Sequence, residues 1–173
     1  MLKFLAFAVA AFFCAGFSNG TLLADPLTDA FNGQVTTIER EVLALAEAMP
    51  ANKYDFAPSN GTFTGVRTYA LQVRHIATIM YQIAASVGGE KAPVDLGTSD
   101  NGPDSLQTKD QIIEYFKGAI AFAHKAMLSM NAKNQLDQVP SPFGRGTQSR
   151  LDAAAFLGYT PTITTDKWWF TRA

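Results

Sequence analysis

His75 and His124 are the only histidines in this 173-residue chain, and Cys14 is its only cysteine. Cys14 lies inside an N-terminal apolar run, directly after Phe13 where a lipidation site wants a small residue. With that run removed, no thiol remains for a disulfide, a nucleophile or a thiolate ligand. A metal site in the rest of the chain therefore has to be built from His, Asp or Glu. No serine stands in a G-x-S-x-G elbow and no phosphate-cradling glycine loop is present. His75 sits one turn from both Leu71 and Ile79, at the border of a narrow polar strip on an otherwise apolar segment. Two readings of it stand: a metal ligand projecting from a bundle helix, or a part-buried imidazole satisfied by one hydrogen bond. His124 flanks an apolar stripe one turn after Ile120 and reads as structural.

The elements that carry these residues are helices. Asp25-Pro26 has the N-cap carboxylate and first-turn proline of a helix start. Leu27, Phe31, Val35, Ile38, Val42, Leu45 and Met49 then step by threes and fours along one face, up to Pro50. Lys53 to Phe63 reads as a loop. A second helix is expected from about Gly65, with Val66, Tyr69, Val73, Ile76, Met80, Ile83 and Val87 inward and Gly88-Gly89 ending it. Arg67, Arg74, Thr78 and Gln82 form its polar strip. A polar connection follows over 90–107, and Thr108 to Gln111 has capping-box spacing. The third helix turns Ile112, Phe116, Ala119, Ala123, Met127 and Met130 inward. Asn131 to Gly146 reads as loop, and a fourth helix starts near Thr147 or Ser149 and fails at Gly158 to Pro161. No strand alternation is worth assigning.

Composition bounds the function. Hydrophobic residues make up 47% and charged residues 17%, with a net charge of −1. The chain is globular rather than disordered, and nothing in it points to nucleic acid. Lys3 followed by the apolar run Phe4–Phe17 and the small residues Ser18 and Gly20 has the layout of a secretory signal. The run is shorter than the roughly 20 residues of a spanning helix. Residues 1–24 are expected to be removed on export, leaving a single domain over 25–173 that is periplasmic or secreted, with no stable membrane span.

The stretch from Met49-Pro50 through Tyr54-Asp55-Phe56-Ala57-Pro58 resembles the segment after the first helix in the DinB/YfiT-like family. Val66-Arg67-Thr68-Tyr69 and Gln72-Val73-Arg74-His75-Ile76-Ala77 resemble that family's second-helix motif. Phe143-Gly144, Ser149-Arg150-Leu151 and Ala153 to Leu157 resemble the approach to its fourth helix. The likeness runs to about Tyr159. It implies an all-α, up-down four-helix bundle, here with a truncated or broken fourth helix. It also implies a divalent metal, Zn or Ni, with His75 as the first ligand and two histidines four residues apart on helix four. The activity implied is that of a metal-dependent hydrolase or thiol-transferase acting on a small molecule. Oligomeric state stays open, a homodimer included.

The chain departs from this pattern after Tyr159, where it reads Thr160-Pro161-Thr162-Ile163-Thr164-Thr165-Asp166-Lys167-Trp168-Trp169-Phe170-Thr171. Two readings of this stand: a genuine divergent tail, or loss of one base after the Tyr159 codon. Threonine codons begin with AC, so restoring the base permits histidine at positions 160 and 164. The two tryptophan codons then force valine at positions 169 and 170. The allowed string includes HSYDHYGQMVVY, the family's missing motif in its place. As written, the chain keeps one of three ligands, so the metal is expected to be weakly held or absent. The alternative function is a metal-free helical binding or structural module.

Overall fold

The computed structural model describes residues 25–58, 66–144 and 146–158. Helix α1 (Pro26–Ile38) starts where the sequence says: the Asp25 carboxylate accepts from Leu27 N at 3.1 Å and, with its second oxygen, from Ala132 N at 2.8 Å. One residue thus caps the helix and ties it to the chain beyond the third helix. A π-helical turn (Glu39–Leu43) and a short helix α2 (Ala44–Ala48) continue the same rod. After a 3-10 turn (Ala51–Lys53), helix α3 (Tyr69–Gly88) and helix α4 (Lys109–Ser129) form the main packed pair, with α1 also resting on α4. Two three-residue strands, β1 (Gln138–Pro140) and β2 (Thr147–Ser149), pair antiparallel, and residues 150–158 are helical (α5).

Helix α4 follows its sequence pattern at every position. Ile112, Phe116, Ala119, Ala123, Met127 and Met130 are all buried, and Thr108 and Gln111 form the capping box. Helix α3 buries Val73, Ile76, Met80, Ile83 and Val87 as expected and stops at Gly89, whose φ of 69° needs no Cβ. Its start differs from the expected Gly65. Thr68 caps it by accepting from Leu71 N at 3.2 Å, which fixes the first turn at Tyr69. The segment 131–149, read as loop and helix start, instead holds the β1–β2 ribbon. Gly144 and Gly146 take positive φ within its turn, and the Ser149 hydroxyl accepts from Asp152 N to cap α5. Gly158, where the expected break begins, is the last described residue and is still helical; the rest of that break, the segment 1–24 expected to be removed on export and the tail 160–173 lie outside the described residues.

Helix one carries a second correction. Val35 and Ile38 are buried, and regular spacing brings Val42 and Leu45 inward next. The buried residues are instead Leu43 and Ala46, and Leu45 is 66% exposed. The π turn inserts one residue, so every later position is rotated by about 100° relative to the α-helical expectation. This has a testable consequence. Deleting Arg40, whose side chain is 71% exposed, should leave a regular α-helix with Ile38, Leu43 and Ala46 still facing inward. Its contact with Glu41 is an exposed ion pair of little worth. The deletion is expected to change stability by about 1 kcal/mol or less. Deleting Ala77 from α3 should unfold the chain, because it turns one half of that helix out of the core. An Arg40 deletion that unfolds in a denaturant melt would refute the insertion account.

Tyrosines line the seams between these elements. Tyr54 donates to Ala46 O at 2.7 Å and packs edge-on against Tyr69, with Lys109 above its ring. Lys109 also donates to Glu47 O and Met49 O, joining the end of α2 to the start of α4. Tyr81 packs against Tyr115 and Phe122. Burial pushes the hydroxyls of both Tyr54 and Tyr81 up to about 12. An unfolded tyrosine ionises near 10. Between pH of about 10 and 12 the unfolded chain therefore gives up protons that the folded chain keeps, and stability falls as pH rises; below 10 it is intact. Tyrosinate absorbance should rise together with loss of helical circular dichroism in that window. All tyrosines titrating near pH 10 with helicity unchanged would contradict this.

Candidate metal centre

The polar strip of α3 is covered. Residues 95–104 of the α3–α4 connection lie across it as a strap, and the strip's side chains hold that strap down. Arg67 donates to Asn101 Oδ1 at 2.6 Å and to Asp100 Oδ2 at 3.1 Å. Arg74, only 7% exposed at its side chain, donates to Gly102 O at 2.9 Å and to Asp104 Oδ1 at 3.1 Å. Its buried Nε has no partner among the described residues. Thr78 donates to Arg74 O, so its oxygen is left to accept from the Tyr115 hydroxyl at 3.0 Å. Gly102, at φ 75°, sits directly over this threonine. A Cβ there would lie 2.7 Å from Thr78 Oγ1, so the strap's close approach depends on glycine.

His75 belongs to this network. Its Nδ1 lies 2.7 Å from the backbone oxygen of Asp100, and the Asp100 carboxylate stands 3.5 Å from the same nitrogen. A carbonyl oxygen only accepts, so Nδ1 carries the proton in this contact. Metal-ligating histidines are oriented in this way, with one nitrogen bonded to a carbonyl or carboxylate and the other free to ligate. The side chain is 12% exposed, which holds the ring in one orientation. A hydrogen bond on Nδ1 is compatible with both sequence readings of His75.

His124 is elsewhere. Its Nδ1 lies 2.6 Å from Asn32 Oδ1 on α1, and its Nε2 lies 3.6 Å from a Glu39 carboxylate oxygen at the start of the π turn. It ties α4 to the first helical rod, which is the structural role its position suggests. A three-nitrogen metal site needs two more ligands beside His75. Among the described residues no three His, Cys, Asp or Glu side chains come together in a way that could hold a metal ion. The described residues therefore fit one ligand of the implied metal and not its whole site.

Sequence reasoning found His75 and its face but missed Asp100 and the strap. A signal was available. Arg67 and Arg74 are seven residues apart, just before and within a helix whose other faces are apolar, and Asp100 and Asp104 are carboxylates in the connection that must cross back over it. Comparison with known proteins returns a match to the DinB superfamily over residues 34–159, most of the chain. No curated protein matches.

Proposed function

The chain belongs to the DinB superfamily, and from that premise we propose that it is an exported up-down four-helix bundle of the divalent-metal-dependent enzyme type, hydrolytic or thiol-transferring, whose metal site is incomplete in the chain as written. The observation that carries this is His75: its Nδ1 is anchored on the backbone oxygen of Asp100, and the residue stands at the position where the family motif has its first ligand. Zinc and nickel both suit imidazole. Export rests on the layout of residues 1–24, and the incomplete site on the reading of positions 160–171 as a shifted frame. No described helix is long and apolar enough to cross a membrane.

A metal-free helical binding module is the second reading. His124 favours it, because both of its ring nitrogens face Asn32 and Glu39 and the chain's other imidazole is thus committed away from His75. Metal content decides between the two for this chain. The purified protein, dialysed and measured by elemental analysis, is expected to hold well under one equivalent of zinc or nickel, since a single imidazole does not hold a metal firmly. One full equivalent that is lost in His75→Ala would show a complete site and overturn the incomplete-site account.

A further inference from the structure

A groove of about 450 Å³ opens at the C-terminal end of α3. That volume is within the roughly 300–1,000 Å³ of small-molecule sites. One wall is α3 itself, through Gln82, Ala85 and Ser86, and the other is the start of the connection, through Ala92 and Leu96. Pro140 and Pro142 also line it. The Ser86 hydroxyl donates to Pro140 O at 2.6 Å, which pins β1 to α3 and fixes the groove there. The walls are mostly aliphatic, and their polar groups differ in what they offer. The Ser86 hydroxyl proton is spent on Pro140. Glu90 is neutralised by Lys125, 2.7 Å away. Lys91 makes no ion pair among the described residues, and the Gln82 amide lies at the end nearer His75.

We propose that this groove binds a small molecule with an apolar body and one carboxylate, with the carboxylate on Lys91. One ammonium beside an already paired glutamate matches a single negative charge, not the double charge of a phosphate monoester. His75, Gln82 and Ser86 are spaced by seven and four residues and share a face of α3. Seven residues rise about 10 Å, so the far end of an extended ligand points along the helix toward His75. Binding requires no metal and stands apart from the enzymatic reading.

The test uses the full chain and decanoate as probe, followed by isothermal titration and by NMR shifts of the groove residues. Decanoate should bind saturably at one site, and more tightly than decyl phosphate or decyltrimethylammonium. Lys91→Gln should weaken decanoate about fivefold, the upper range for a solvent-exposed ion pair. Ala92→Trp, which fills the groove from its outer wall, should abolish it while circular dichroism stays unchanged. If Ala92→Trp disturbs the fold, Lys91→Gln still decides. Equal binding of the cationic amphiphile, no effect of Lys91→Gln, or no saturable binding of decanoate overturns the proposal.

Discussion

A gene carrying one extra base after the Tyr159 codon, read on to the next in-frame stop, is expected to give a protein that binds one divalent metal and melts higher in its presence. The restored frame permits histidine at positions 160 and 164. Four residues apart on a helix, they face the same side. With His75 they would supply the three imidazoles of the proposed site, which leaves a fourth position open as in catalytic zinc sites. Only the native state assembles that set, so metal stabilises by mass action. Free metal at a hundred times Kd contributes about 2.7 kcal/mol, which is roughly 5–10 °C in Tm for a domain of this size. His75→Ala in the repaired protein should remove the shift, and the chain as written should show little of it. A repaired protein that binds no metal, or a frame that closes at once on a stop codon, would end the frameshift account and leave the metal-free module.

How far the sequence could be read depended on whether one physical rule acted alone. Helix α4 is an uninterrupted amphipathic helix with a complete capping box, and each inward position follows from its period. In the first rod two rules competed. The segment Val42-Leu43-Ala44-Leu45-Ala46 is apolar in either register, so periodicity cannot choose between Val42/Leu45 and Leu43/Ala46. Packing chose, and the π turn that serves it leaves no mark in the pattern. The β1–β2 ribbon is three residues per strand, too short for alternation to register. The candidate site was legible where it rests on a helix face and illegible where it rests on the strap. Asp100 is 25 residues from His75, and its backbone oxygen, unlike its side chain, carries no residue-type signal at all.

The strap also explains why a polar strip is tolerated on α3. Arg74 and Thr78 are among the buried residues of the chain, a burial that costs free energy unless their hydrogen bonds are replaced. Gly102 O, the Arg74 carbonyl and the Tyr115 hydroxyl replace most of them. The connection is thus a structural part of the His75 environment, and its glycines matter as much as its carboxylates. Gly97, at φ 73°, is held against Gly102 so closely that a Cβ would lie 2.8 Å from the Gly102 carbonyl carbon.

Gly118→Ala is expected to destabilise the protein by about 1–3 kcal/mol, against the ordinary preference of a helix interior for alanine. In an open helix the exchange gains about 1 kcal/mol. Here a Cβ at position 118 would run into the hydroxyl of Tyr81 on the facing helix. Tyr81 is 2% exposed and wedged against Tyr115 and Phe122, so its ring has little room to retreat. Overpacking of this kind costs about 1–3 kcal/mol. The cause is one oxygen atom, because the next nearest atom, the ring carbon that bears it, would lie at 3.6 Å, an ordinary contact. In a Tyr81→Phe background the same Gly118→Ala exchange should therefore turn stabilising, by about 0.5–1 kcal/mol. The double-mutant cycle is then expected to show a coupling of roughly 1.5–4 kcal/mol, in the upper part of the range for residues in contact or above it. Urea melts of the four proteins measure it. A Gly118→Ala effect that keeps its sign and size when Tyr81 is phenylalanine would show that the hydroxyl does not set the spacing of α3 and α4.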